Sequence, residues 1–150
     1  MNGIMKRSLY EIPPDIYNRV HEAMLAIVNA SQAGDDVLRA THYEQFREFC
    51  EQQTDAGRGS GFMWEALADV TENAVQQLAY YERSLALGRH NSEPTHTVLL
   101  AIGQHLVEDG NWARAAPFLI EAREQAIASG DTETEGEITS LLLQAPANDA

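Results

Sequence analysis

The residues best suited to chemistry near neutral pH are the five histidines, His21, His42, His90, His96 and His105, because imidazole transfers protons and ligates metals there. Their spacing matches no metal or catalytic motif. His42 and Glu44 fall on different faces of a helix, and Glu93 is separated from His96 by Pro94 and a loop. Solvated or packing histidines are therefore expected. Only the loop set His90, Glu93 and His96 offers a route by which a small helical enzyme would assemble acid–base groups. The single cysteine, Cys50, acts as a nucleophile only if a partner lowers its pKa and access stays open; beside Phe46 and Phe49 it reads as a small buried hydrophobe. Asp131, Glu133, Glu135 and Glu137 form no selected pair and suit the amino end of a solvated helix. With no phosphate loop or nucleotide fingerprint, no catalytic, cofactor-binding or metal-ligating residue is expected, no cofactor is implied, and the chain reads as a non-enzyme.

Charge narrows the partners. Ten Lys plus Arg against 23 Asp plus Glu leave a formal charge of −13, which repels nucleic-acid backbones and anionic lipid and favours a basic protein or peptide. No apolar run approaches the roughly 18 residues of a membrane span. One cysteine cannot close an intramolecular disulfide, and the amino terminus lacks the pattern of an export signal, so a cytoplasmic setting is expected. At 150 residues with 44% hydrophobic content, the chain has enough apolar material for one domain spanning residues 1–150.

The elements that would position any site are helices throughout. Pro14 and Asp15 open a helix carrying Ile16, Val20, Ala23, Met24, Ile27 and Val28, and Gly34 ends it. Asp35 or Asp36 caps the next, with Val37, Leu38, Tyr43, Phe46, Phe49 and Cys50 on one face, giving an αα-hairpin over residues 14–55. Residues 62–88 read as one helix or as a bent hairpin broken near residue 72, where Thr71 or Asn73 would cap the second part, and Gly88 reads as the stop. A further hairpin covers 95–129, turning at Asp109, Gly110 and Asn111, with Pro117 inside its second helix as a source of distortion. Thr132, with Glu135 three residues on, caps a final helix over 132–144.

Leu99, Ile102 and Gly103, then Leu106, Gly110, Asn111 and Trp112, then Ala115, Leu119 and Ala122 follow a pattern of large and small residues that resembles a tetratricopeptide repeat. One clear repeat covers residues 96–129. Trp64, Leu67 and Ala68 resemble the opening of another repeat, and Tyr81, Ser84 and Leu85 its close, at too short a spacing for a regular unit. Pro117 and the lack of a proline after the second helix depart from the family, although extended forms with Gly-Asp turns resemble bacterial regulatory helical-repeat proteins. The resemblance implies an all-α, right-handed stack of antiparallel αα-hairpins with five to seven helices. It also implies that Thr97, Leu100, Gln104, Val107 and Glu108 line a protein-binding groove.

A protein-interaction module recognising a basic protein or peptide is thus the leading expectation. Immunity or inhibition directed at a toxin or enzyme is a narrower alternative, the loop-histidine enzyme a third, and self-association into a homo-oligomer stays open. Phe62, Trp64, Tyr80, Tyr81 and Trp112 are expected mainly in the core, with an interface anchor among them as the alternative.

Overall fold

Apolar residues at three- and four-residue steps, punctuated by short polar turns, fold into helix in every periodic segment. The computed structural model describes residues 11–147; residues 1–10, on which much of the export-signal reading rests, lie outside the described part. Among the described residues there are seven helices: α1 Pro14–Gln32, α2 Asp36–Asp55, α3 Gly61–Asp69, α4 Ala74–His90, α5 His96–Glu108, α6 Trp112–Ser129 and α7 Thr132–Leu142. None is long and apolar enough to cross a membrane. They form two compact units, one ending at Glu93 and one starting at Pro94.

In the first unit α1 packs on α2 and α3 on α4, while α3 also touches α1 and α2. Ile16, Val20, Ala23, Ile27 and Ala30 are the buried stripe of α1, and Phe46 and Cys50 are the buried anchors of α2. Gly34 adopts φ +69° between them, and the Asp35 carboxylate accepts the Leu38 N–H at 3.0 Å.

The segment 62–88 is broken, and the break is held by two local hydrogen bonds and one from α2. At the carboxyl end of α3 the Thr71 hydroxyl donates to the Leu67 carbonyl at 2.7 Å, Gln77 Nε2 to the Ala68 carbonyl at 3.0 Å, and the Arg39 guanidinium to the Val70 carbonyl at 2.8 Å. These donors satisfy carbonyls that a continuing helix would have bonded itself. Asn73 then caps α4 by accepting the Gln76 N–H at 2.9 Å; Thr71 does not cap, and instead shares a 2.8 Å hydrogen bond with Tyr43.

Gly88 is not the stop that its type suggests. It lies buried inside α4, which continues to His90, and Ser92 at φ 59° makes the turn. Its role is to let two backbones meet: a Cβ on Gly61 would stand 2.7 Å from the Ser84 carbonyl oxygen and 3.0 Å from the Gly88 Cα. The Ser84 hydroxyl seals this contact by donating to the Gly61 carbonyl at 2.8 Å.

The second unit packs α5 on α6, and α7 on both. Gly110 takes φ +76°, Asn111 caps α6 by accepting the Arg114 N–H at 3.2 Å, and the helix runs unbroken through Pro117. A Cβ on Gly103 would overlap the Leu119 side chain, so the small residue of α5 seats the large one of α6. The cap of α7 is Asp131 rather than Thr132: its carboxylate accepts both the Thr134 N–H at 3.1 Å and the Thr134 hydroxyl at 2.7 Å. A carboxylate carries full charge toward the helix amino end, which a threonine hydroxyl does not. Those bonds, joined by His96, hold the Asp131 carboxyl below its ordinary range.

Among the described residues the fold is all-α, with helices packed in sequence within each unit in a helical-repeat-like manner. The glycines separate its close contacts from its open surfaces. Gly61→Ala must push backbone from backbone and is expected to lower unfolding free energy by about 1–3 kcal/mol. Gly136 has open space around its α-carbon in mid-helix. Gly136→Ala is accordingly expected to raise stability by about 0.5–1 kcal/mol. Urea denaturation of both variants checks the opposite signs.

Candidate functional site

The acid–base candidates are placed first by what they bond. Glu93 is turned onto the amino end of α3, its carboxylate accepting the Gly61 N–H at 2.8 Å and the Phe62 N–H at 3.1 Å. Asn91 Nδ2 donates to the same carboxylate at 3.1 Å and to the Gly59 carbonyl at 3.0 Å. An internal anion thus fills the place where a helix terminus would take an external one. His96 is used in the second unit, its Nε2 lying 2.9 Å from an Asp131 oxygen. His90 is exposed at the rim of a cavity of about 500 Å³ bounded by the 57–60 and 90–93 loops. Beside it Arg58 grips Asp15 through contacts of 2.9 and 2.8 Å, keeping that carboxyl below its ordinary range. Among the described residues no group of three or more His, Cys, Asp or Glu is arranged to hold a metal ion.

Cys50 is completely buried, with Sγ 3.7 Å from the Met63 carbonyl. Burial first, and the neighbouring Glu51 charge second, push its thiol up to about 12. At neutral pH it is a protonated packing group, as its aromatic neighbours imply.

The aromatic set divides between core and surface. Trp64 is fully buried, tilted against Tyr80 at 5.3 Å, with the Arg83 guanidinium 3.9 Å over its ring and its Nε1 donating to Thr54 at 2.9 Å. Tyr81 is buried too, its hydroxyl donating to Asp69 at 2.6 Å. Phe62 and Trp112 are only half-buried.

Phe62 belongs to a surface feature that sequence reasoning missed. Tyr17 of α1 stacks on Phe62 at 5.7 Å and 10°, and lies parallel to His21 at 6.4 Å and 3°. Tyr17, Val20, His21 and Met24 of α1, with Phe62 and Ala66 of α3, enclose an open groove of about 240 Å³. Leu25 and Val28 continue the apolar strip, 51% and 41% exposed on the free side of α1. The signal was present as Tyr17, His21, Met24 and Val28, spaced four, three and four residues apart beside the core stripe. Met24 and Val28 were expected in the core; Met24 is half-buried and Val28 exposed, because α1 carries a wider apolar arc than α2 and α3 cover.

On α5 the expected groove positions separate. Thr97, Gln104 and Glu108 are exposed, Val107 is half-buried, and Leu100 is buried in the core at 7% exposure.

Five arginines of the first unit are engaged within it. Arg39, Arg47, Arg58 and Arg83 pair with Glu72, Glu44, Asp15 and Glu51, and Arg19 lies over the Phe49 ring at 5.4 Å. The sequence's one lysine is Lys6. No family model matches the chain, and no curated protein or solved structure matches it.

Two outcomes test these placements. Glu93→Ala leaves two amides of α3 without their carboxylate and is expected to cost about 1–2 kcal/mol in urea denaturation. The Cys50 thiol is expected to resist a chromogenic disulfide reagent at neutral pH in the folded chain and to react at once in denaturant. Fast native reaction would show an opening to solvent that its burial excludes.

Proposed function

We propose that this chain is a non-enzymatic protein-interaction module of tetratricopeptide-like type that recognises a basic protein or peptide. The observation that carries this reading is electrostatic. A formal charge of −13 is spread over a chain in which Arg39, Arg47, Arg58 and Arg83 pair with carboxylates and Arg19 lies over an aromatic ring. Exposed carboxylates such as Glu108 and Asp109 draw a cationic partner during diffusional encounter.

Support for the finer family reading comes from α5 and α6. Gly103 against Leu119, the left-handed Gly110 and the buried Ala115 and Ala122 give physical roles to the residues on which the repeat resemblance rests. Thr97, Gln104 and Glu108 supply exposed polar contacts on this reading, with Val107 as a partly covered apolar one.

Affinity capture from a lysate, followed by titration of the purified partner at low and high ionic strength, tests the charge mechanism. Partners rich in Lys and Arg are expected, with binding that weakens steeply as salt rises and weakens further in a Glu108→Gln, Asp109→Asn variant. Affinity indifferent to both salt and charge replacement overturns the reading.

A further inference from the structure

The open strip on α1 and α3 points to how such a partner is held. We infer that the Tyr17–Phe62 groove receives the apolar ridge of an amphipathic helix whose flanks carry Lys or Arg. This deepens the proposed recognition of a basic partner and rests on it.

Three observations meet at this place. The floor is formed by Val20 and Ala66, and the walls are aromatic and sulfur-bearing: Tyr17 stacked on Phe62, His21 parallel to Tyr17, and Met24. Such groups bury much contact area with few rotatable bonds, or adapt to a ridge of irregular shape. The strip then continues past the groove, through Leu25 and Val28, over eleven residues from Tyr17. At about 1.5 Å per residue it is about 17 Å long, which matches about three turns of a docked helix.

The third observation is the sign of the border. Glu22 is exposed on α1 three residues before Leu25, and on α3 Glu65 and Asp69 follow Phe62 by three and seven residues, Asp69 also accepting the Tyr81 hydroxyl of α4. Helix α3 has no cationic residue, and the arginine of α1, Arg19, is placed over Phe49. An apolar strip with carboxylates within one helical step of it, on a chain of formal charge −13, is complementary to an apolar ridge with cations along its sides. An acidic helix or a phosphorylated segment meets repulsion from the same carboxylates.

The test uses the full chain, isotope-labelled for amide NMR, and three synthetic peptides of about twelve residues, or about three helical turns. One has Leu at helical i, i+4, i+7 and i+11 spacing with Lys elsewhere; the second replaces Lys by Glu; the third keeps Lys and replaces Leu by Ser. The first is expected to bind and to shift amides of α1 and α3, with salt-dependent affinity, while the other two bind at least about tenfold more weakly, the loss a hot-spot contact carries. Tyr17→Ala and Leu25→Ala, both at positions 51% exposed and thus cheap to fold, are each expected to weaken it by about tenfold. Val75→Ala, at an 81% exposed position on α4, is expected to change nothing. Salt-dependent binding that shifts α5 instead, or that ignores Tyr17→Ala and Leu25→Ala, overturns the groove and leaves the basic-partner reading standing. Equal binding of the Lys and Glu peptides overturns both, and no binding by the Lys peptide overturns the groove alone. A concentration-dependent dimer abolished by Tyr17→Ala overturns the inference by assigning the strip to a second copy.

Discussion

Helix α3 is held where two main chains touch without side chains between them. Gly61 lies against Ser84 and Gly88 at distances that exclude a methyl group, and the Ser84 hydroxyl bonds the Gly61 carbonyl. The nine residues of α3 are too few to be stable as an isolated helix, so this contact and its capping groups fix both its place and its axial rotation. Trp64, Leu67 and Ala68 then face inward and Phe62 and Ala66 outward, which creates the second wall of the groove beside α1. The Gly103–Leu119 contact does related work in the second unit by a different means, a side chain seated in a notch rather than backbone on backbone.

Polar chemistry is spent on ending helices. Glu93, Ser60, Asn73, Asp35, Asn111 and Asp131 each accept amide protons at a helix amino terminus, and Thr71, Gln77 and Arg39 satisfy carbonyls at the end of α3. Short helices multiply such ends: every terminus leaves amides or carbonyls that must find partners. A carboxylate bound to two amides, or a histidine against an Asp cap, is a structural group in this fold. The apolar strip of α1 lies apart from these termini, with Leu25 and Val28 exposed.

Helix positions, the turns at Gly34 and Gly110, a cap at Asp35 or Asp36 and the burial of Cys50 were legible in the sequence, because periodicity, turn chemistry and capping are local properties. The Gly88 and Thr132 readings failed for different reasons, one tertiary and one local. Gly88 meets Gly61 across the helix contact, and the adjacent Asp131, a carboxylate, takes the cap that Thr132 was expected to supply. Leu100, Met24 and Val28 likewise changed burial according to which helices lie over them.

By itself the sequence determined that the chain is helical, acidic and divided by short turns, since these depend on each residue and its nearest neighbours. Only tertiary structure decided that 62–88 is two helices, that Glu93 serves α3, and that Tyr17 and Phe62 stack into one groove. Each of those outcomes depends on the free energy of a contact between residues far apart in the chain, and periodicity within one segment carries no information about which distant surface will cover it.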